Sequence, residues 1–232
     1  MKILGMIGGV GPESTIEYYR EIIGLYRKRK PDGSYPQMII NSIDLTKGRD
    51  LIAANNLSGV TKYLLDEIRK LPRAGADFGL IAANTPHIVF DEVARESPIP
   101  LISIVECACQ AAQARALKKL GLFGTRFTMQ GEFYPKVFSK AGIELVLPDP
   151  ADQDYIDNKY FTELVPGKFL PETKAGLLAI VDRLKEKSDI DGVILAGTEL
   201  PLILRNPKHN KILLLDTMKI HAEAAVAEIL SQ

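Results

Sequence analysis

Leu4-Gly5-Met6-Ile7-Gly8 and Leu120-Gly121-Leu122-Phe123-Gly124 are near copies of one another, 116 positions apart. Each is a short apolar run without polar alternation, the pattern of a parallel strand covered on both faces. Asp77-Phe78-Gly79-Leu80-Ile81-Ala82-Ala83 returns as Asp191-Gly192-Val193-Ile194-Leu195-Ala196-Gly197, at an offset of 114. Met38-Ile39-Ile40 and Leu145-Val146-Leu147 lie 107 apart, and Leu101–Glu106 and Ile212–Asp216 about 110. One such match is unremarkable among α/β segments, but four in the same order read as a duplication. The expected fold is α/β, with two pseudo-symmetric lobes of about 110 residues, each a parallel sheet flanked by helices. The boundaries drawn from the pattern are 1–115 plus 213–232 for the N-terminal lobe, with a returning C-terminal helix, and 116–212 for the C-terminal lobe.

The remaining elements follow from periodicity. Ile3–Ile7, Met38–Ile43, Phe78–Ala82, Leu101–Val105, Leu120–Phe123, Leu145–Leu147, Val193–Leu195 and Ile212–Leu215 are predicted strands. Residues 14–29 carry Ile16, Tyr19, Ile23 and Tyr26 at helical spacing, and residues 57–71 carry Leu57, Val60, Leu64, Ile68 and Leu71. If the lobes face each other, the strand carboxyl ends meet at a cleft, where open parallel sheets bind ligands. The loops after the strands then matter most.

Gly8-Gly9-Val10-Gly11-Pro12-Glu13-Ser14-Thr15 follows the first strand. Ser14 with Glu17 fits a capping box, and glycines before a helix leave N–H groups for an anion. The run lacks the last glycine of a dinucleotide fingerprint, and no second strand ends in an acid at the required distance. A tight turn into a helix is the plain alternative to a small carboxylate site. Asn84-Thr85-Pro86-His87 follows the third strand and offers side-chain donors, although Asn84 or Thr85 could merely cap a helix. Gly197-Thr198-Glu199 holds the equivalent place in the other half, and two matched loops favour a site over two caps. Arg49, in the loop with Asp44 and Lys47, could clamp a carboxylate, or could be an ordinary solvated side chain. Thr125 and Thr128, after the copy of the first strand, form a second candidate anion cradle.

Composition bounds the function. The chain has 232 residues, 29 Lys and Arg against 29 Asp and Glu, three His and two Cys. Zero net charge gives no general pull towards nucleic acid or an anionic membrane. No apolar run approaches a membrane span, and MKILGMIGG reads as a first strand, not a leader, so a cytoplasmic protein is expected. Three scattered His offer no metal-ligand spacing. His209 is expected to be exposed, and His221 to be a half-buried residue of the last helix. Cys107 and Cys109 are too close for a structural bridge and open an alanine-rich helix predicted over 108–116. They read as small core residues, with a reactive thiolate as the sharper alternative.

Together these motifs resemble the aspartate/glutamate racemase family over essentially the whole chain. Gly8–Thr15 resembles its opening glycine loop and Asn84-Thr85-Pro86-His87 its C-N-T-x-H motif. Gly124–Met129 is similar to its G-T-x-x-T segment, Gly197-Thr198-Glu199 to its G-C-T-E motif and Asp216–Glu223 to its closing helix. The resemblance implies an active-site cleft between the lobes and racemisation of acidic amino acids without pyridoxal phosphate, metal or other cofactor. Two cysteines, one from each lobe, would exchange a proton on opposite faces of the α-carbon. Gly9, Ser14, Arg49, Asn84, Thr85, Thr125, Thr128 and Thr198 are then the candidate substrate-binding residues. The ligand would be a small amino acid or dicarboxylate. Family members are commonly homodimers, though no interface is legible in the sequence.

The departure lies at the chemistry. The first family cysteine falls on Ala83 and the second on Gly197, and neither side chain can carry a proton. Cys107 and Cys109 align with neither. Three functions follow. An amino-acid isomerase would need substitute acid/base groups, for which Glu13, Asp44, His87, Glu106 and Glu199 stand at the strand ends, with Glu199, His87 and Asp44 the leading candidates. A carboxylate binder would keep the cradle without the chemistry. A lyase or cis–trans isomerase of the wider superfamily ranks last, because those relatives generally retain a cysteine.

Overall fold

The computed structural model describes residues 1–231. The chain divides into two compact units, Met1–Ile104 with His221–Gln232, and Val105–Ile220. Both divisions fall inside helices, Ile104–Ala114 and Thr217–Leu230.

The first unit carries β1 (Leu4–Gly8), β2 (Met38–Ser42), β3 (Phe78–Ile81) and β4 (Leu101–Ile102), in the order β2-β1-β3-β4. All pairings are parallel, with Leu4 opposite both Met38 and Phe78. The second unit carries β5 (Lys119–Gly124), β6 (Glu144–Val146), β7 (Gly192–Ala196), β8 (Lys208–His209) and β9 (Ile212–Asp216), in the order β6-β5-β7-β9-β8. Leaving out β8, the second sheet repeats the first, strand for strand, as the duplicated sequence requires. β1 and β5 are central, and each is flanked by crossovers running in opposite directions. That reversal is the topological switch point beyond which ligands bind. The apolar runs are continuous because both faces of each central strand are covered: every residue of β1, β3 and β7 is buried.

Some expectations are corrected. The fourth predicted strand ends at Ile102, and Ile104 and Val105 belong to helix Ile104–Ala114. Val105, Cys107, Ala108, Cys109 and Ala112 are buried there. A short apolar run cannot by itself separate a buried strand from a buried helix turn. That helix stops before Ala116, which takes the left-handed conformation at φ 55°. In helix Pro12–Arg29 the buried line is Ser14, Tyr18, Ile22 and Tyr26, while Ile16 and Tyr19 are each 48% exposed. β8 is an antiparallel strand absent from the sequence reading, and Asn210 and Lys211 make its tight turn at φ 45° and 70°. The hairpin half-buries His209, whose Nε2 lies 2.9 Å from Asp182 Oδ1. Among the described residues no helix is long and apolar enough to cross a membrane.

Candidate functional site

In the first unit the loop after β1 is built on glycine. Gly9 has φ 79° and Gly11 φ 122°. A Cβ on Gly9 would lie 2.6 Å from Ser42 Oγ and 2.8 Å from Ile43 N, so the turn is open only to glycine. The Gly9 N–H donates to Thr15 Oγ1 at 2.9 Å, and Thr15 Oγ1 donates to Gly11 O at 3.0 Å. The expected capping box does not form. Gly11 is the N-cap, Pro12 opens the helix, and buried Ser14 turns its hydroxyl back to Gly11 O at 2.9 Å. Proline's fixed φ starts the helix one turn earlier than Ser14 alone would indicate. Glu17 instead pairs with Arg20.

Asp44 caps helix Leu45–Ala53, accepting from Thr46 N at 2.8 Å. Arg49 projects from that helix, 48% exposed, with Asp50 3.5 Å away. Past β3, Ala83, Asn84 and His87 are all buried. His87 lies in the 3-10 turn Thr85–Val89, stacked on Phe90 with ring centres 4.7 Å apart. Its Nε2 accepts from Ile104 N at 3.3 Å. Burial, then the neighbouring His221, pushes its pKa down to about 3. His221 stands 6.4 Å away between ring centres. Its Nδ1 is 2.9 Å from Tyr18 Oη and its Nε2 is 3.0 Å from Ile102 O. The Ile102 carbonyl can only accept, so Nε2 carries the proton and the Tyr18 hydroxyl donates to Nδ1. Burial holds this imidazole at about 4. Both rings are therefore neutral near pH 7 and brace the unit.

In the second unit Thr125 caps the short helix Arg126–Met129, accepting from Thr128 N at 3.2 Å. The two buried hydroxyls are 3.1 Å apart. Arg126 turns outward to Asp154 at 2.8 Å. After β7, Gly197, Thr198 and Glu199 are buried. Thr198 Oγ1 donates to Glu199 Oε2 at 3.0 Å, and the Tyr160 hydroxyl donates to the same oxygen. Burial, then the Glu199 charge, raises the Tyr160 phenol well above its usual range. Tyr160 is the residue the sequence reading missed. It stands 37 positions before Gly197, after a polar stretch with no motif to announce it.

A Cβ built on Gly197 would lie 2.5 Å from Tyr160 Cε2 and 3.1 Å from Cζ. The phenol ring thus fills the space a side chain at 197 would enter. Cys107 and Cys109 lie on helix Ile104–Ala114, which follows β4 directly, and both are buried. Burial, then the Glu106 charge, raises the Cys107 thiol to about 12, and Cys109 is raised by the same two causes. Neither is an activated thiolate. Among the described residues no group of three or more His, Cys, Asp or Glu could hold a metal.

The family model for Asp/Glu/Hydantoin racemase matches residues 7–225. The chain is 25% identical to the broad specificity amino-acid racemase RacX of Bacillus subtilis over 232 residues, 99% of each protein. A solved aspartate racemase homologue from Pyrococcus horikoshii is 32% identical, with a TM-score of 0.84 and all of both chains covered. Aspartate racemase from Picrophilus torridus shares the fold at a TM-score of 0.83 and 21% identity, over 99% of this chain and 94% of that one. This protein belongs to the Asp/Glu/hydantoin racemase family.

Proposed function

We propose that this chain binds a small amino acid or dicarboxylate at its strand-end loops and does not racemise it. One observation carries the reading. The two positions at which the family resemblance expects cysteines are Ala83 and Gly197, and at Gly197 the Tyr160 ring occupies the space of the missing side chain. Racemisation needs a proton acceptor on one face of the α-carbon and a donor on the other. Ala83 supplies neither, and His87 behind it is neutral and bound to the Ile104 amide. Asp44 is engaged as a helix cap. The polar loop residues remain, and they suit carboxylate recognition: Gly9, Ser14, Arg49, Asn84 and Thr85 in one unit, Thr125, Thr128 and Thr198 in the other. Kinship with an amino-acid racemase supports an amino acid as the ligand.

The test combines calorimetry and proton NMR. Aspartate, glutamate and succinate are titrated into the protein, and each amino acid is then incubated with it in heavy water. Binding without loss of the α-proton signal supports the proposal. Loss of that signal at a rate proportional to protein overturns it.

A second reading is an isomerase that uses Glu199 in place of a thiol. What favours it is a buried carboxylate two residues past Gly197, held by the Tyr160 and Thr198 hydroxyls. A carboxylate in a dry site can have its basicity raised towards neutrality. This reading requires α-proton exchange that disappears in Glu199→Gln, so the same heavy-water experiment separates the two.

A further inference from the structure

We infer that Tyr160 and Gly197 are a complementary pair. The phenol takes over the ground of the family's second cysteine, and its hydroxyl positions Glu199. The placement begins in the backbone. Helix Pro150–Lys159 runs into a π turn at Tyr160–Leu164, closed by Val165 N–H donating to Tyr160 O at 2.9 Å. The wider turn re-aims its residues relative to the α-helix before it, a device common at functional sites. Tyr160 thereby enters the core of the second unit with Phe123, Leu164, Leu195 and Leu200, with Phe161 edge-on at 5.6 Å between ring centres.

Three ring atoms border the same empty point. Cε2 is 2.5 Å, Cζ 3.1 Å and the hydroxyl oxygen 3.2 Å from where a Cβ on Gly197 would sit. The ring is wedged in the core, so it cannot swing aside as a surface side chain would. Glycine at 197 is therefore required by Tyr160. The hydroxyl also has its own task. It donates to Glu199 Oε2, the oxygen that Thr198 Oγ1 reaches at 3.0 Å. Two donors on one carboxylate oxygen fix its direction. Tyr160 is thus a positioning residue, acting through Glu199.

The inference rests on side-chain geometry within one unit and not on the proposed ligand, so it is tested without ligand. In a Cys107→Ala, Cys109→Ala background, melting temperatures are compared for Gly197→Cys, Tyr160→Ile and the pair combined. Gly197→Cys alone should lower the melting temperature by about 5 °C, the scale of one overpacked core group in a chain of this size. The double variant should melt above Gly197→Cys, because the shorter side chain frees the space. Losses that simply add would overturn the pairing. If Gly197→Cys does not fold, Gly197→Ala replaces it in the same cycle, with the same sign required.

Tyr160→Phe tests the hydroxyl separately. It keeps the ring, so it should not rescue Gly197→Cys. It should move the Glu199 carboxyl carbon-13 signal at fixed pH, assigned by its absence in Glu199→Gln. A purely structural Tyr160 would leave that signal where it is, and this result would overturn the positioning role. Failure of every ligand titration would overturn the binding proposal and leave both of these readouts standing.

Discussion

Tyr160 and Gly197 are fitted to each other: the phenol Cε2 lies 2.5 Å from where the first side-chain atom of residue 197 would be. The wedge converts a missing side chain into a packed core. It also shows how a chain with no side chain at 197 keeps a well-filled second unit.

The cost of adding a methyl group should therefore depend on where it is added. Gly197→Ala is expected to destabilise the protein by about 1–3 kcal/mol through overpacking. Gly24 lies inside helix Pro12–Arg29, and a Cβ placed there would meet nothing within 4 Å. Gly24→Ala should stabilise by up to about 1 kcal/mol through helix propensity. Urea unfolding of both variants checks the contrast, and equal signs would sink it.

Gly9→Ala should be among the most damaging single changes in the first unit. It combines a φ of 79° with contacts at 2.6 Å and 2.8 Å to Ser42 Oγ and Ile43 N. A loss of about 2 kcal/mol or more is expected in chemical denaturation. Because the strained turn begins the glycine loop, aspartate affinity should fall with it.

The buried histidines set an acid limb of stability. Their folded pKa values are depressed to about 3 for His87 and about 4 for His221, against 6.5 for an exposed imidazole. The unfolded chain therefore binds more protons than the folded one below about pH 6.5, and folding loses stability as pH falls towards those values. Each imidazole contributes up to about 1.4 kcal/mol per pH unit in that window. His221→Gln should be less stable at pH 7 and show a shallower decline between pH 6 and pH 4. An unchanged slope would remove His221 from this account.

The native thiols should be bystanders. Cys107 is buried with its thiol at about 12, so alkylation of the folded protein at pH 8 should be slow and should accelerate on unfolding. Cys107→Ala combined with Cys109→Ala should leave amino-acid binding unchanged within twofold. A tenfold loss would restore the cysteines to the function.

Arg49 should matter more to a ligand than to the fold. It is 48% exposed and lies 3.5 Å from its acidic neighbour Asp50, so Arg49→Ala should change stability by under about 0.5 kcal/mol. If it clamps a carboxylate, the variant should bind aspartate about 10-fold more weakly in calorimetry. Arg126→Ala, which removes an outward pair with Asp154, is the control and should bind normally.

Much of the fold was legible in the sequence because burial on both faces leaves an unmistakable apolar run. Leu4–Gly8 and Leu120–Gly124 announced equivalent central strands, and the matching sheet orders follow from that repeat. Reading failed where one apolar run serves two structures. Ile104 and Val105 continue the run of β4 yet turn into a helix, and only their packing decides which. Ser14 carried the signature of a helix cap, but Pro12 started the helix before it. The loops at the strand ends were legible as motifs, and so was the absence of cysteine at positions 83 and 197.

The sequence by itself determined that this protein is a duplicated α/β chain of a racemase family, with Ala83 and Gly197 at the ends of two equivalent strands. Those facts are local, since a strand pattern and a residue identity can each be read in place. Only the tertiary structure decided what stands beside Gly197. Tyr160 reaches Gly197 across 37 residues, because a π turn aims its ring into a space defined by the lack of a Cβ. A missing atom leaves no periodicity, and a contact over that separation exists only once both segments are packed into one core.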